Sequence, residues 1–211
     1  MDDELRFKHH ISCLVSGPSG SGKSSYCIRF LRNLLALCTE CTFSGGIIWC
    51  YVRVAPSPID SWPGRIAFVF TKECQQTLRT VGKTVPHILD DLLNEAYSND
   101  VCDLFMKGSH QRNIGVILIT QYLFHQGKSC RDISLNATNI VVLKNMPDWD
   151  TFSHLVRQVM PHDSNGLLQA YLHATVEIHG YLLDLSQYAD DSLRFRTCTS
   201  LDVCWFRQSN A

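Results

Sequence analysis

The stretch Gly17-Pro18-Ser19-Gly20-Ser21-Gly22-Lys23-Ser24 constrains this chain more than any other part of it. It satisfies the pattern Gly-x4-Gly-Lys-Ser, in which backbone N–H groups turn inward around an anion and glycines let the main chain approach it closely. The surroundings suit that use. The apolar run Ile11-Ser12-Cys13-Leu14-Val15 comes before it and predicts a strand. After it, Cys27, Phe30, Leu31, Leu34 and Cys38 recur at helical spacing and predict a helix from Lys23 to Cys38. A strand, a glycine-rich turn and the positive end of a helix make a phosphate cradle. Lys23 would set a point charge on the terminal phosphates and the Ser24 hydroxyl would ligate Mg²⁺. The predicted contacts to a nucleoside triphosphate are Gly17, Pro18, Ser19, Gly20, Ser21, Gly22, Lys23, Ser24 and Ser25, with ATP and Mg²⁺ as the implied ligands.

The remaining sequence alternates short apolar runs with helical patterns. Strands are expected at 46–51, 65–70, near 85–89, at 115–121, 139–143 and 181–185, and helices at about 148–160 and 163–173. Ser98 is a candidate cap for a further helix carrying Val101, Leu104 and Phe105. The run Gly115-Val116-Ile117-Leu118-Ile119-Thr120-Gln121 is apolar throughout, as a central parallel strand buried on both faces should be. The expected fold is α/β: a P-loop NTPase with a mostly parallel central sheet and helices on both faces. A length of 211 residues, 45% of them hydrophobic and 18% charged, suits one such domain with a sizeable core.

No run approaches the roughly 18 apolar residues of a membrane helix. The acidic opening Met1-Asp2-Asp3-Glu4 is unlike a secretory or mitochondrial leader, so an intracellular, non-membrane protein is expected. The 10 cysteines are scattered apart from Cys38-Thr39-Glu40-Cys41, and several lie in apolar runs. That distribution fits buried thiols in a reducing compartment better than a disulfide framework or a zinc site.

Two acids follow the apolar run Ile88-Leu89. An acid delivered by a strand beside the phosphates holds Mg²⁺, and Asp90 is placed for that role. The next acid, Asp91, is the candidate base that orients and deprotonates the attacking water, unless the pair opens a helix as its N-cap. Pro86 and His87 interrupt this strand, so either it is short or its pairing is bulged. At the end of the long apolar run, Gln121 is a candidate sensor of the γ-phosphate, with a solvated strand end as the plain alternative.

The ordered set of phosphate loop, Ile88-Leu89-Asp90-Asp91-Leu92-Leu93 and Gly108-Ser109-His110-Gln111-Arg112-Asn113 leading into the sensor strand resembles the FtsK/HerA superfamily of DNA-pumping ATPases. Its viral genome-packaging branch, the poxvirus-type ATPase and relatives in adintovirus- and Maverick/Polinton-like elements, is the most similar. Further matching stretches are Ile133–Ala137, Val142–Asn145, Arg157–Pro161, Gln169–Tyr171, Gly180–Leu185 and Leu193–Thr197, and the likeness spans about residues 10–197. The resemblance implies a RecA/FtsK-HerA-like fold and a ring, hexameric or pentameric. It also implies Lys23, Asp91, Gln121 and Arg112 as catalytic residues, Arg112 entering the neighbouring subunit's site, and Ser24 and Asp90 as the metal's residues. Double-stranded DNA and a capsid or portal protein would be the partners, in host cytoplasm, nucleus or virion. Residues 1–9 and 201–211 fall outside the 10–200 ATPase domain so defined, and segment 43–85 shows little that matches.

Other functions begin with the same loop. A nucleoside or nucleotide kinase should carry an arginine-rich lid, and no such cluster follows the sensor strand. A domesticated, non-catalytic nucleotide-binding protein is the third reading. Net charge is −1, so DNA contact would have to be local. From Lys107 to Arg131 there is no Asp or Glu, while Lys107, Arg112, Lys128 and Arg131 are cationic. The segment Phe124–Arg131 is expected as a basic loop that could grip phosphates, against the plain reading of a solvated surface loop.

Overall fold

The computed structural model describes residues 7, 11–38, 47–51, 66–70, 87–90, 99–103, 105, 115–123, 128–145, 149–184 and 194–197. In chain order the elements are β1 (Ser12–Ser16), α1 (Lys23–Arg32), α2 (Leu34–Leu37), β2 (Ile47–Tyr51), β3 (Ile66–Phe70) and β4 (His87–Asp90). They continue with α3 (Asn99–Asp103), β5 (Val116–Thr120), α4 (Lys128–Asn136), β6 (Asn139–Leu143), α5 (Trp149–Val159), α6 (Ser164–Ala174), β7 (Tyr181–Asp184) and β8 (Phe195–Arg196).

The strands form one eight-stranded sheet in the order β3-β2-β4-β5-β1-β6-β7-β8. Strands β1 to β6 are mutually parallel, and β7 and β8 add antiparallel at one edge. Central strands β1, β5 and β6 are buried at every position. That is why they read as unbroken apolar runs rather than as alternation.

Alternate side chains of these strands feed two cores. On one face Val15, Trp49, Ile88, Ile119 and Leu143 pack with Tyr26, Cys27, Phe30 and Leu31 of α1. Phe7 joins that layer, its N–H donating to the Leu37 carbonyl at 2.7 Å and its ring meeting Phe30 edge-on. On the other face Leu14, Leu89, Leu118 and Val142 pack with α3, α4, α5 and α6 through Val101, Ile133, Phe152, Leu155 and Tyr171. The sheet with helices on both faces is the α/β architecture expected from the sequence.

Three local differences have physical causes. The helix expected from Lys23 to Cys38 is broken at Asn33, whose side-chain amide donates to the Arg29 carbonyl at 2.9 Å and whose own N–H turns to Phe30. A short amide side chain that competes for backbone carbonyls ends the helix, and a single turn, α2, resumes after it. The interruption at Pro86-His87 resolves as a short strand: β4 starts at His87 and pairs in continuous register with β2 and β5. The basic segment expected as a loop to Arg131 is helical from Lys128 onward. Burial of Ile133 in the core of that face fixes the helix there.

Candidate phosphate-binding site

Every parallel strand ends at the same side of the sheet, and the site is built there. Ser16 leads out of β1 into the loop, which is tied to the neighbouring strand by the Gly17 N–H donating to the Thr120 carbonyl at 3.3 Å. A Cβ at Gly17 would lie 2.7 Å from Ser21 Oγ and 3.0 Å from Leu143 Cβ, so a side chain there would displace both. Gly20 and Gly22 have φ of 77° and 100°, the left-handed region that glycine reaches without steric cost. Gly22 caps α1, its carbonyl accepting from the Tyr26 N–H at 2.8 Å. The glycines of the pattern thus stand where the backbone takes positive φ or packs closely.

Lys23 folds back over this loop, its ammonium donating to the Gly17 and Pro18 carbonyls at 2.6 and 2.9 Å. Ser21 Oγ is buried and has no hydrogen-bond partner among the described residues. A cationic side chain over the concavity, an unsatisfied hydroxyl inside it and the N-terminus of α1 beneath it together fit a polyphosphate. Ser19, Gly20 and Ser25 are exposed at its rim.

Asp90 faces the loop from a neighbouring strand. It stands at the carboxyl end of β4, opposite Tyr51 of β2 and Ile119 of β5. The Ser24 hydroxyl donates to Asp90 Oδ2 at 3.5 Å, so a hydroxyl and a carboxylate meet at the loop. Oxygen donors of this kind suit Mg²⁺, which keeps several waters and takes one or two protein oxygens beside substrate phosphates. Among the described residues no three or more His, Cys, Asp or Glu cluster as a metal site would need.

One further residue reaches Asp90 without a mark in the sequence. Trp49 of β2 is fully buried, and its indole N–H donates to the same Asp90 oxygen at 3.3 Å. A buried indole needs an acceptor for its N–H, and a carboxylate is a strong one. Nothing in Ile47-Ile48-Trp49-Cys50-Tyr51 marks Trp49 as other than core. The signal lies in strand order, since β2 is β4's neighbour only in the folded sheet.

Gln121 directly follows Thr120, so it sits at the end of the strand lying between the loop strand and the Asp90 strand. Asp91, Arg112, Lys107 and the 124–127 part of the basic segment lie outside the described residues. Among the cysteines, Cys13, Cys27, Cys38, Cys50 and Cys102 are buried thiols outside any disulfide. Burial pushes the Cys13 thiol up to about 12. The Cys27 thiol is raised well above its ordinary value, chiefly by burial, with Cys13 and Asp90 adding to the shift and Lys23 opposing it. These thiols are packing groups rather than nucleophiles.

Neither a protein-family model nor a curated protein matches the sequence. Solved structures match the fold. The genome-packaging NTPase B204 of Sulfolobus turreted icosahedral virus 2, crystallised with sulfate, superposes with a TM-score of 0.54 at 15% identity, over 84% of this chain and 93% of that one. Its AMP complex gives 0.54 at 13% identity over 84% and 94%, and its AMPPCP complex 0.52 at 14% over the same shares. At such identities the likeness is one of fold, and the fold is that of the P-loop NTPases. No helix among the described residues is long and apolar enough to cross a membrane.

Proposed function

We propose that this protein is a Mg²⁺-dependent ATPase that translocates double-stranded DNA, feeding a viral or virus-derived genome into a capsid. The observation that carries the nucleotide part is the meeting of Ser24 and Asp90 beside a glycine loop over which Lys23 is folded. The fold shared with a genome-packaging NTPase over most of both chains supports the packaging part.

In this reading the loop amides, Lys23 and Ser21 Oγ bind the phosphates. Ser24 and Asp90 hold Mg²⁺, which when bound offsets charge on the terminal phosphates. Asp91 takes the proton of the attacking water, Gln121 responds to the γ-phosphate, and Arg112 reaches the site of a neighbouring subunit in a ring of five or six. Capsid or portal protein is the further partner, and host cytoplasm, nucleus or virion the place of action.

The test is the ATPase rate with and without duplex DNA, using Lys23→Ala as the control. Wild-type turnover should rise with DNA and the variant should hydrolyse nothing, since it loses the ammonium folded over the loop. Rates indifferent to DNA would sink the translocase reading, and a phosphorylated nucleoside as product would replace it with a kinase. Turnover unchanged in Lys23→Ala would remove the phosphate-site assignment itself.

A further inference from the structure

The loop has a second neighbour that the phosphate chemistry leaves unexplained. His179, in the turn between α6 and β7, places Nδ1 2.9 Å from the Ser21 carbonyl. Its ring lies so close to Gly22 that a Cβ built there would be 2.6 Å from Nδ1 and 2.9 Å from Cγ. The ring is nevertheless exposed. His179 also holds a φ of 65°, left-handed backbone that carries a steric cost for any residue with a Cβ.

The turn is firmly built. Thr175 Oγ1 donates to the Tyr171 carbonyl at 2.8 Å, the Gly180 N–H donates to the Glu177 carbonyl at 3.0 Å, and a side chain at Gly180 would collide with the Ala174 carbonyl. Tyr171 itself is pinned to the end of β6, donating to the Leu143 carbonyl at 3.0 Å and accepting from the Asn145 N–H at 2.9 Å. Two side chains of this turn, Val176 and Ile178, are 70% and 85% exposed, the most exposed large hydrophobic residues among those described. Single exposed aliphatics are ordinary. Two of them in a rigid turn that touches a ligand loop form a surface that a ligand could cover.

Strand order says which part of a ligand that is. Asp90 ends β4, two strands from β1 on one side, and the turn leads into β7, two strands from β1 on the other. Tyr181 pairs with Leu143, so the turn lies at the same carboxyl end of the sheet as the loop. A metal beside Ser24 and Asp90 draws the terminal phosphates toward β4. The nucleoside, at the opposite end of the same chain of phosphates, then leaves toward β6 and β7. We propose that the turn from Thr175 to Gly180 forms the nucleoside side of the site, with His179, Ile178 and Val176 contacting base and ribose. This rests on the nucleotide-binding reading given above and adds where the purine goes.

The experiment measures dissociation constants of ATP and of inorganic tripolyphosphate, both with Mg²⁺, for wild type, Ile178→Ser, Val176→Ser and His179→Gly. Glycine at 179 removes the ring and keeps the left-handed backbone, and the two serine variants leave His179 in place. Expected is a loss of ATP affinity on the order of tenfold with tripolyphosphate binding unchanged, as when a base is deprived of a stacking or apolar surface. Equal weakening of both ligands in all three variants would reduce the turn to a prop for the loop and overturn the proposal. So would unchanged ATP affinity accompanied by a changed oligomeric state in sedimentation, which would make the turn a subunit contact. Wild-type protein that binds tripolyphosphate as tightly as ATP overturns the nucleoside contact alone. Wild type that binds neither removes the phosphate site as well.

Discussion

Ser24 lies in the first turn of α1 and Asp90 closes β4, and their side chains meet at 3.5 Å although they stand 66 positions apart in the chain. The contact exists because β5 separates β4 from β1, so that the end of β4 reaches the start of the helix that follows β1. A hydroxyl and a carboxylate held together this way can share one hydrated cation. Asp90→Asn should therefore weaken Mg²⁺-dependent ATP binding. Asp91→Asn should keep ATP bound and lose hydrolysis by ~10²-fold or more, as expected for removal of a general base. Titrations of labelled ATP in Mg²⁺ and in EDTA, set beside turnover, separate the two. If both variants bind poorly and alike, Asp91 is structural.

Trp49 gives a second, independent handle on the same carboxylate. Its indole donates to Asp90 Oδ2 at 3.3 Å from a fully buried position. Trp49→Phe keeps an aromatic ring in the core and removes that donor. A hydrogen bond to a charged group contributes roughly 1.5–3 kcal/mol, so the variant should be less stable by an amount of that order. Nucleotide affinity should also fall several-fold in Mg²⁺ and not in EDTA, because the carboxylate is no longer held toward Ser24. Trp149→Phe, on the opposite core, should not change the Mg²⁺ dependence. An unaltered Mg²⁺ dependence in Trp49→Phe would leave the indole a space-filling role only.

The buried thiols predict how stability responds to alkali. Cys13 in the folded chain is pushed up to about 12 from an ordinary 9.0, and Cys27 is raised well above the same value. Above about pH 9 the unfolded chain has released these protons and the folded chain still holds them, so the native state binds more protons. Their contribution is thus fully present below pH 9 and declines as pH rises, by roughly 1.4 kcal/mol per thiol for each unit, until the folded pKa is reached. Urea midpoints measured from pH 8 to pH 10.5 should fall. Cys13→Ala should be less stable at neutral pH yet show a shallower decline. An equal slope in that variant would assign the alkaline loss to other groups, Tyr26 first among them, since burial raises its phenol too.

What the sequence can and cannot convey follows from the range of each signal. The loop at Gly17–Ser24 is local: its glycines are needed for positive φ and close approach, and both requirements are visible in residue type. The strands β1, β5 and β6 are equally plain, because burial on both faces demands an apolar run. Asn33 is harder to read, since its apolar neighbours continue the helical spacing through it and only the side-chain bond to Arg29 breaks the helix. Trp49 and His179 lie beyond reach for another reason. Each owes its place at the site to strand order, and no spacing in the chain encodes that β2 lies next to β4 or that β7 lies next to β6. The two-residue β8 is too short for any period to show.

DNA contact is expected at the start of α4. Lys128 and Arg131 both fall in the first turn of α4, and no acid accompanies them there. Cations at a helix N-terminus oppose the macrodipole, at a cost of roughly 0.3–1 kcal/mol each. A chain of net charge −1 gains nothing in stability from gathering them at that end. A phosphate backbone would reverse the balance, since it pairs with the two cations and also accepts from the amides of the helix start. Helix α4 follows β5, which ends at the same carboxyl end of the sheet as β1, the strand that leads into the phosphate loop. A pump must hold DNA without reading its sequence, and contacts of this kind carry no base information. Replacing Lys128 and Arg131 together by Gln should leave basal ATP hydrolysis intact and the fold as stable as before or slightly more so. DNA stimulation should fall, and the slope of log affinity against log salt should shrink by about 0.9 for each phosphate no longer neutralised. DNA binding of unchanged strength and salt slope would move the grip elsewhere on the protein.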